Sequence, residues 1–145
     1  MTPDRDAAIA LVDGYLQRCE DRDLEAAATV LAPGCRLVFP GGRAFDSLPA
    51  MAAAAAGRYR WVRKHRDTWD VAPHPDGATV VVSTGRLYGV NRHGVPFEDV
   101  RYVDRLVLRD GLVAEQHVWN DLEVTGVLER DQPSPASGPG QAAGA

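Results

Sequence analysis

Residues 101–121 read Arg-Tyr-Val-Asp-Arg-Leu-Val-Leu-Arg-Asp-Gly-Leu-Val-Ala-Glu-Gln-His-Val-Trp-Asn-Asp. On either side of Arg109-Asp110-Gly111 the stretch is rich in β-branched and aromatic residues, the pattern of two strands joined by a tight turn. Upstream, Thr79 to Val90 is a second β-branched run, and Asn91-Arg92-His93-Gly94 turns it into Phe97 to Leu108. Three long strands joined by two tight turns make an antiparallel meander. One more strand is expected over His65 to Val71, with His74-Pro75-Asp76-Gly77 turning the chain after it.

The first third of the chain reads as helices. Thr2-Pro3 is an N-cap candidate with proline at the first helical position, and Ile9, Val12, Leu16 and Cys19 recur at helical spacing with Tyr15 on the edge of the stripe. Asp23 caps a shorter helix through Leu31, which Ala32-Pro33-Gly34 stops. Cys35 to Phe39 is a strand ended by Pro40-Gly41-Gly42. Ser47 caps a third helix, with Pro49 in its first turn, running through the alanine block Ala52 to Ala56 towards Trp61. The expected class is α+β: three helices on a strongly curved antiparallel sheet.

At 145 residues the chain suits one domain, expected over residues 1–130. The Pro/Gly/Ala/Ser-rich residues 131–145 cannot fill a core and read as a disordered tail. A net charge of −4 argues against a nucleic-acid partner, which needs a basic face. Basic residues do gather between Arg58 and Arg66, with Tyr59 and Trp61 interleaved; on an acidic chain they read as a solvated helix end. No apolar run reaches the ~18 residues of a membrane helix, and the polar N-terminus is not a signal peptide, so a cytoplasmic protein is expected. Cys19 and Cys35 lack metal-type spacing and read as free thiols. Histidines 65, 74, 93 and 117 are scattered, so neither metal nor other cofactor is expected.

Strand alternation gathers a candidate pocket face. Asp104 shares its face with Val100, Tyr102, Leu106 and Leu108. A two-residue Asp-Gly loop would set Asp104 opposite His117, with Trp119 and Asp121 beside it. A three-residue loop would set it opposite Gln116, with Val118 and Asn120 beside it; one residue of slip exchanges the sets. On the preceding strand Thr84, Arg86, Tyr88 and Val90 are placed inward, since the other phase offers mainly Gly85 and Gly89.

Two stretches, GYLQRCEDRDLEAAATVLAPGCRLVFP (14–40) and RYVDRLVLRDGLVAEQHVWND (101–121), resemble the nuclear transport factor 2-like superfamily. That superfamily includes ketosteroid isomerase, limonene epoxide hydrolase and the SnoaL-like polyketide cyclases. The resemblance implies a helix-lined cone closed by the sheet, and it favours the register that turns Gln116, Val118 and Asn120 inward. His117, Trp119 and Asp121 would then lie on the outer face, where superfamily dimers often pack. Against ketosteroid isomerase, Tyr15 falls on the oxyanion-hole tyrosine and Asp104 on its partner carboxylic acid. The general-base aspartate of that enzyme falls on Phe39, which cannot accept a proton. The catalytic aspartate of the epoxide hydrolases and cyclases falls on Val118, while the epoxide hydrolase arginine is matched by Arg86.

The function implied is a cyclase, isomerase, dehydratase or hydrolase without a cofactor, acting on a small hydrophobic molecule. Asp104 and Tyr15 would stabilise an oxyanion and Arg86 would hold an anionic group. His65, Asp121 or water would accept the proton. Phe39, Tyr59, Trp61, Tyr88, Tyr102, Gln116, Val118 and Asn120 would contact the substrate. The alternative is a dimeric ligand-binding or scaffold protein of the same fold.

Overall fold

The computed structural model describes residues 4–133; the expected Thr2-Pro3 helix start and most of the tail lie outside them. In chain order the elements are α1 (Arg5–Glu20), α2 (Leu24–Ala28), β1 (Leu31–Phe39), β2 (Arg43–Phe45), α3 (Leu48–Ala56), β3 (Tyr59–Pro73), β4 (Thr79–Asn91), β5 (Pro96–Arg109), β6 (Leu112–Asn120) and α4 (Leu122–Thr125).

The α1 cap is Asp4, whose carboxylate accepts from the Ala7 N–H at 2.7 Å. Ala8, Val12, Tyr15 and Leu16 form its buried stripe, so Tyr15 belongs to the core face rather than its edge. Asp23 caps α2 as expected, but that helix stops at Ala28, because Val30 and Leu31 already pair with β6. Ala32-Pro33-Gly34 therefore sits inside β1, at a bulge where Gly34 takes a φ of +73°. Ser47 caps α3. That helix ends at Ala56 instead of continuing to Trp61, so the basic run from Arg58 to Arg66 lies mostly in β3, not at a helix end.

One six-stranded sheet runs in the order β2-β1-β6-β5-β4-β3. It is mixed, not wholly antiparallel: β1 lies parallel to β6, while every other neighbouring pair is antiparallel. The meander is as expected, with β6 beginning at Leu112 and ending at Asn120.

The last hairpin adopts neither register in full. Asp110-Gly111 is a two-residue loop, since Arg109 faces Leu112, but a bulge at Ala114 shifts the pairing so that Asp104 faces Val118 and Leu106 faces Gln116. The inward set is still Gln116, Val118 and Asn120, because a two-residue displacement preserves side-chain parity.

Curvature comes from the edge. β3 carries bulges near Arg60 and Asp67 and curls closely over β4. A Cβ on Gly85 would stand 1.9 Å from the His65 carbonyl oxygen, and one on Gly89 would stand 2.2 Å from that of Trp61. The inward phase of β4 is thus the glycine phase, with Val81, Ser83 and Leu87 buried. Arg86 is exposed instead, and Tyr88 turns to the outer face.

Asn91, expected only as a turn residue, is wholly buried and clasps the C-terminal segment. Its amide donates to the Val127 and Arg130 carbonyls at 2.9 and 2.7 Å and accepts from the His93 and Val95 N–H groups. No helix of the described residues is long and apolar enough to cross a membrane.

Candidate active site

Between the end of α1, α3 and the inner face of the sheet lies a cavity of about 120 Å³. Its wall is largely apolar, with Leu16, Met51, Val62, Leu87, Val118 and Leu122 among its side chains. Lys64 also lines it, because β3 alternates and brings Val62 and Lys64 to the inner side. The Lys64 ammonium contacts Asp104 Oδ2 and lies 5.0 Å from the centre of the Tyr102 ring. The Asp104 side chain has no exposure to solvent, and among the described residues its Oδ1 has no hydrogen-bond partner. A buried carboxylate needs a cation nearby, and Lys64 supplies it.

On the strand beside Asp104, Gln116 accepts a 2.6 Å hydrogen bond from the Tyr15 hydroxyl through Oε1. The Gln116 carbonyl is therefore engaged, which leaves its amide NH2 for the cavity that Gln116 lines. Burial, with the neighbouring Cys19, Cys35 and Asp104 adding to it, pushes the Tyr15 phenol well above its usual range, so it stays a protonated donor. Burial likewise raises the Cys19 thiol, which lines the cavity beside Lys64 and Arg22. The Tyr102 phenol is pushed up to about 12 by burial and exchanges a 2.8 Å hydrogen bond with Ser83.

Asp104 and Tyr15 thus stand near the cavity without lining it. Each is covered by a side chain that does, Lys64 over the carboxylate and Gln116 over the phenol. Phe39, Tyr59, Gln116, Val118 and Asn120 line the cavity, and Tyr102 lies behind it with 2% exposure.

The remaining expected residues lie elsewhere. His65 stacks on Tyr88, ring centres 4.4 Å apart, with Trp61 edge-on to the same tyrosine, all on the outer side of β3 and β4. Arg86 pairs there with Asp67 at 2.9 Å and Asp99 at 3.4 Å, not with Asp104. Asp121 receives Arg101 at 2.8 Å. The cause is strand phase: the bulges of β3 and the glycines of β4 fix which alternate set faces inward.

Neither a protein-family model nor a curated protein sequence matches the chain. Solved structures do. TerC, co-crystallised with polyporic acid, aligns with a TM-score of 0.70 at 17% identity, covering 86% of this chain and 99% of its own. An NTF2-like protein of unknown function from Burkholderia pseudomallei aligns at 0.71 and 16% identity, over 84% of this chain and 96% of its own. A SnoaL-like polyketide cyclase assignment from Jannaschia aligns at 0.64 and 20% identity, over 92% and 98%. The chain has the nuclear transport factor 2-like fold.

Within that fold, the group the sequence did not reveal is Lys64. It sits in a run of basic residues that a solvated face explains equally well. Alternation from Val62 was the one available signal, and it requires knowing that the run is a strand. Glu20 was missed as well. It lines the cavity but is engaged, accepting from the Lys64 backbone N–H at 2.7 Å and from Arg66 at 2.9 Å. Among the described residues, no three His, Cys, Asp or Glu side chains gather as a metal-ligand group.

Proposed function

We propose that this protein is a cofactor-independent enzyme of the cyclase or isomerase kind, working as a homodimer on a small, largely apolar molecule with a polarised oxygen. The observation that carries the reading is an ammonium set in the wall of an apolar cavity by a carboxylate with no solvent exposure. A carbonyl oxygen docked against Lys64 and the Gln116 amide would gain negative charge as the adjacent carbon loses its proton. A cation fixed in a largely apolar wall stabilises that charge more than water does. In this reading Lys64 and Gln116 are the catalytic groups. Asp104 and Tyr15 are positioning residues that hold the ammonium and the amide.

Glu20, the carboxylate that lines the cavity among the described residues, has its Oε1 taken by Arg66 and the Lys64 N–H, and Arg63 lies 3.8 Å from its Oε2, so in this reading the proton goes to water or to a second oxygen of the substrate. Positioned acid/base groups are typically worth ~10²–10⁴ in rate, so the reading favours substrates whose proton is already activated. The same observation supports the second reading, a dimer that binds a ligand without transforming it.

Deuterium exchange at the benzylic carbon of phenylacetone, followed by NMR in heavy water, separates the two. Exchange at least about tenfold above buffer is expected, about 1.4 kcal/mol off the barrier. It should vanish in Lys64→Met/Asp104→Leu, which removes the pair together. Saturable binding of phenylacetone with exchange at the buffer rate would overturn the enzymatic reading and leave the binding one.

A further inference from the structure

The mouth of the cavity carries an unbalanced positive charge. Arg22 from the α1–α2 turn, Arg43 from β2 and Arg58 from the α3–β3 turn all line the cavity, and since the first two are exposed and the third half-buried they stand on its open side. On a chain of net charge −4 this is a local reversal of sign. Some arginines elsewhere are matched by carboxylates, Arg63 by Asp21 at 3.0 Å, Arg86 by Asp67 at 2.9 Å and Arg101 by Asp121 at 2.8 Å, while others among the described residues, such as Arg18 and Arg105, are not; what sets Arg22, Arg43 and Arg58 apart is that all three line one cavity. The three at the mouth have no carboxylate partner among the described residues. Arg22 donates to the Cys19 carbonyl at 3.0 Å and to the Tyr59 hydroxyl at 3.1 Å, and Arg43 lies over the Phe45 ring at 5.5 Å. Glu20, the one acid lining the same cavity, is turned to Arg66 and the Lys64 backbone.

Unpaired guanidinium groups around a low-dielectric opening focus the field and raise the local concentration of anions. Guanidinium also matches a carboxylate with two parallel N–H donors. Inside, about 120 Å³ is somewhat less than the apolar cavity of about 150 Å³ that holds benzene, so one ring is the most it takes.

We propose that the substrate is a one-ring carboxylic acid, its ring oxygen on Lys64 and its carboxylate among Arg22, Arg43 and Arg58 at the mouth. This rests on reading the cavity as the active site, and it adds the substrate class.

The test is calorimetric titration of the protein with 3-(4-hydroxyphenyl)propanoate, its methyl ester and 2-(4-hydroxyphenyl)ethyl phosphate. The acid is expected to bind about tenfold more tightly than the ester at low salt. The contrast should shrink as salt rises from about 20 mM to about 500 mM, because the mouth is open to screening. Arg58→Gln and Arg43→Gln should each reduce it, and the double variant, its fold checked by circular dichroism, should reduce it further than either alone. Equal binding of acid and ester, or a contrast indifferent to both substitutions, overturns the inference while leaving the exchange assay to judge the chemistry. Tighter binding of the phosphate overturns the carboxylate assignment. Failure of all three probes to bind overturns both the inference and the placement of the ring oxygen on Lys64.

Discussion

Taking a carboxylate out of water costs several kcal/mol, and an ion pair repays that only with good geometry. Asp104 has one oxygen on the Lys64 ammonium and the other without a partner among the described residues. Such a half-satisfied pair is a poor stabiliser, which fits a residue kept to place a charge. Lys64→Met strands the carboxylate and is expected to destabilise the protein by about 3–5 kcal/mol. Adding Asp104→Leu removes the stranded charge and should restore most of that loss. Urea unfolding of wild type, single and double variants reads this directly. A double variant no more stable than Lys64→Met alone would mean that the pair is not the coupled unit described. The sequence made Asp104 and Tyr15 legible because a family pattern marks both positions. Lys64 was hidden, because a lysine among Arg58, Arg60, Arg63 and Arg66 looks like any solvated charge until the strand phase is known.

At the scale of elements, phase decides which residues meet. The long strands of the meander were legible from their β-branched composition, and the inward set of β6 followed from parity. The phase of β4 is the opposite of the one its chemistry suggests: Thr84, Arg86 and Tyr88 carry the polar groups, yet the phase containing two glycines faces inward. In a strongly curved sheet the glycines are the signal: a missing side chain marks where one strand folds over the next. Gly85 shows this at 1.9 Å from a backbone oxygen, which unlike a side-chain tip cannot move aside. Gly85→Ala is therefore expected to cost at least about 1–3 kcal/mol, the range for overpacking. It should also pull β3 off β4 and displace Lys64. Gly57→Ala, whose Cβ meets nothing within 4 Å, serves as the control. Thermal melts that fail to separate the two would remove close strand approach as the origin of the curl. Other features left no local trace. The parallel β1–β6 pair joins segments about 80 residues apart, and the Ala114 bulge that sets the final register has no composition of its own.

At the scale of the whole molecule the two faces of the sheet divide the chemistry. The inner face carries the cavity, and the outer face leaves large apolar side chains in water: Trp119 is 53% exposed, Trp61 43% and Val103 37%. Val103 and Trp119 are cross-strand partners, and His117 stacks beside Trp119 at 6.0 Å, so these form one patch; Trp61, edge-on to Tyr88, forms a second on the same face. Exposed aromatic patches of this kind mark association surfaces. A twofold interface brings each patch against the partner's copy of the same face, so a single substitution acts twice. The homodimer proposed above is therefore expected to use this face. Trp119→Glu sets two carboxylates into the interface and should shift the sedimentation coefficient from dimer to monomer, by at least about 2 kcal/mol of association energy if Trp119 is an anchor. Glu25→Lys, exposed on α2 away from that face, should leave association unchanged. A wild-type protein that sediments as a monomer at high concentration, or a Trp119→Glu variant that remains dimeric, would remove the outer face as the interface and leave its aromatics without a role.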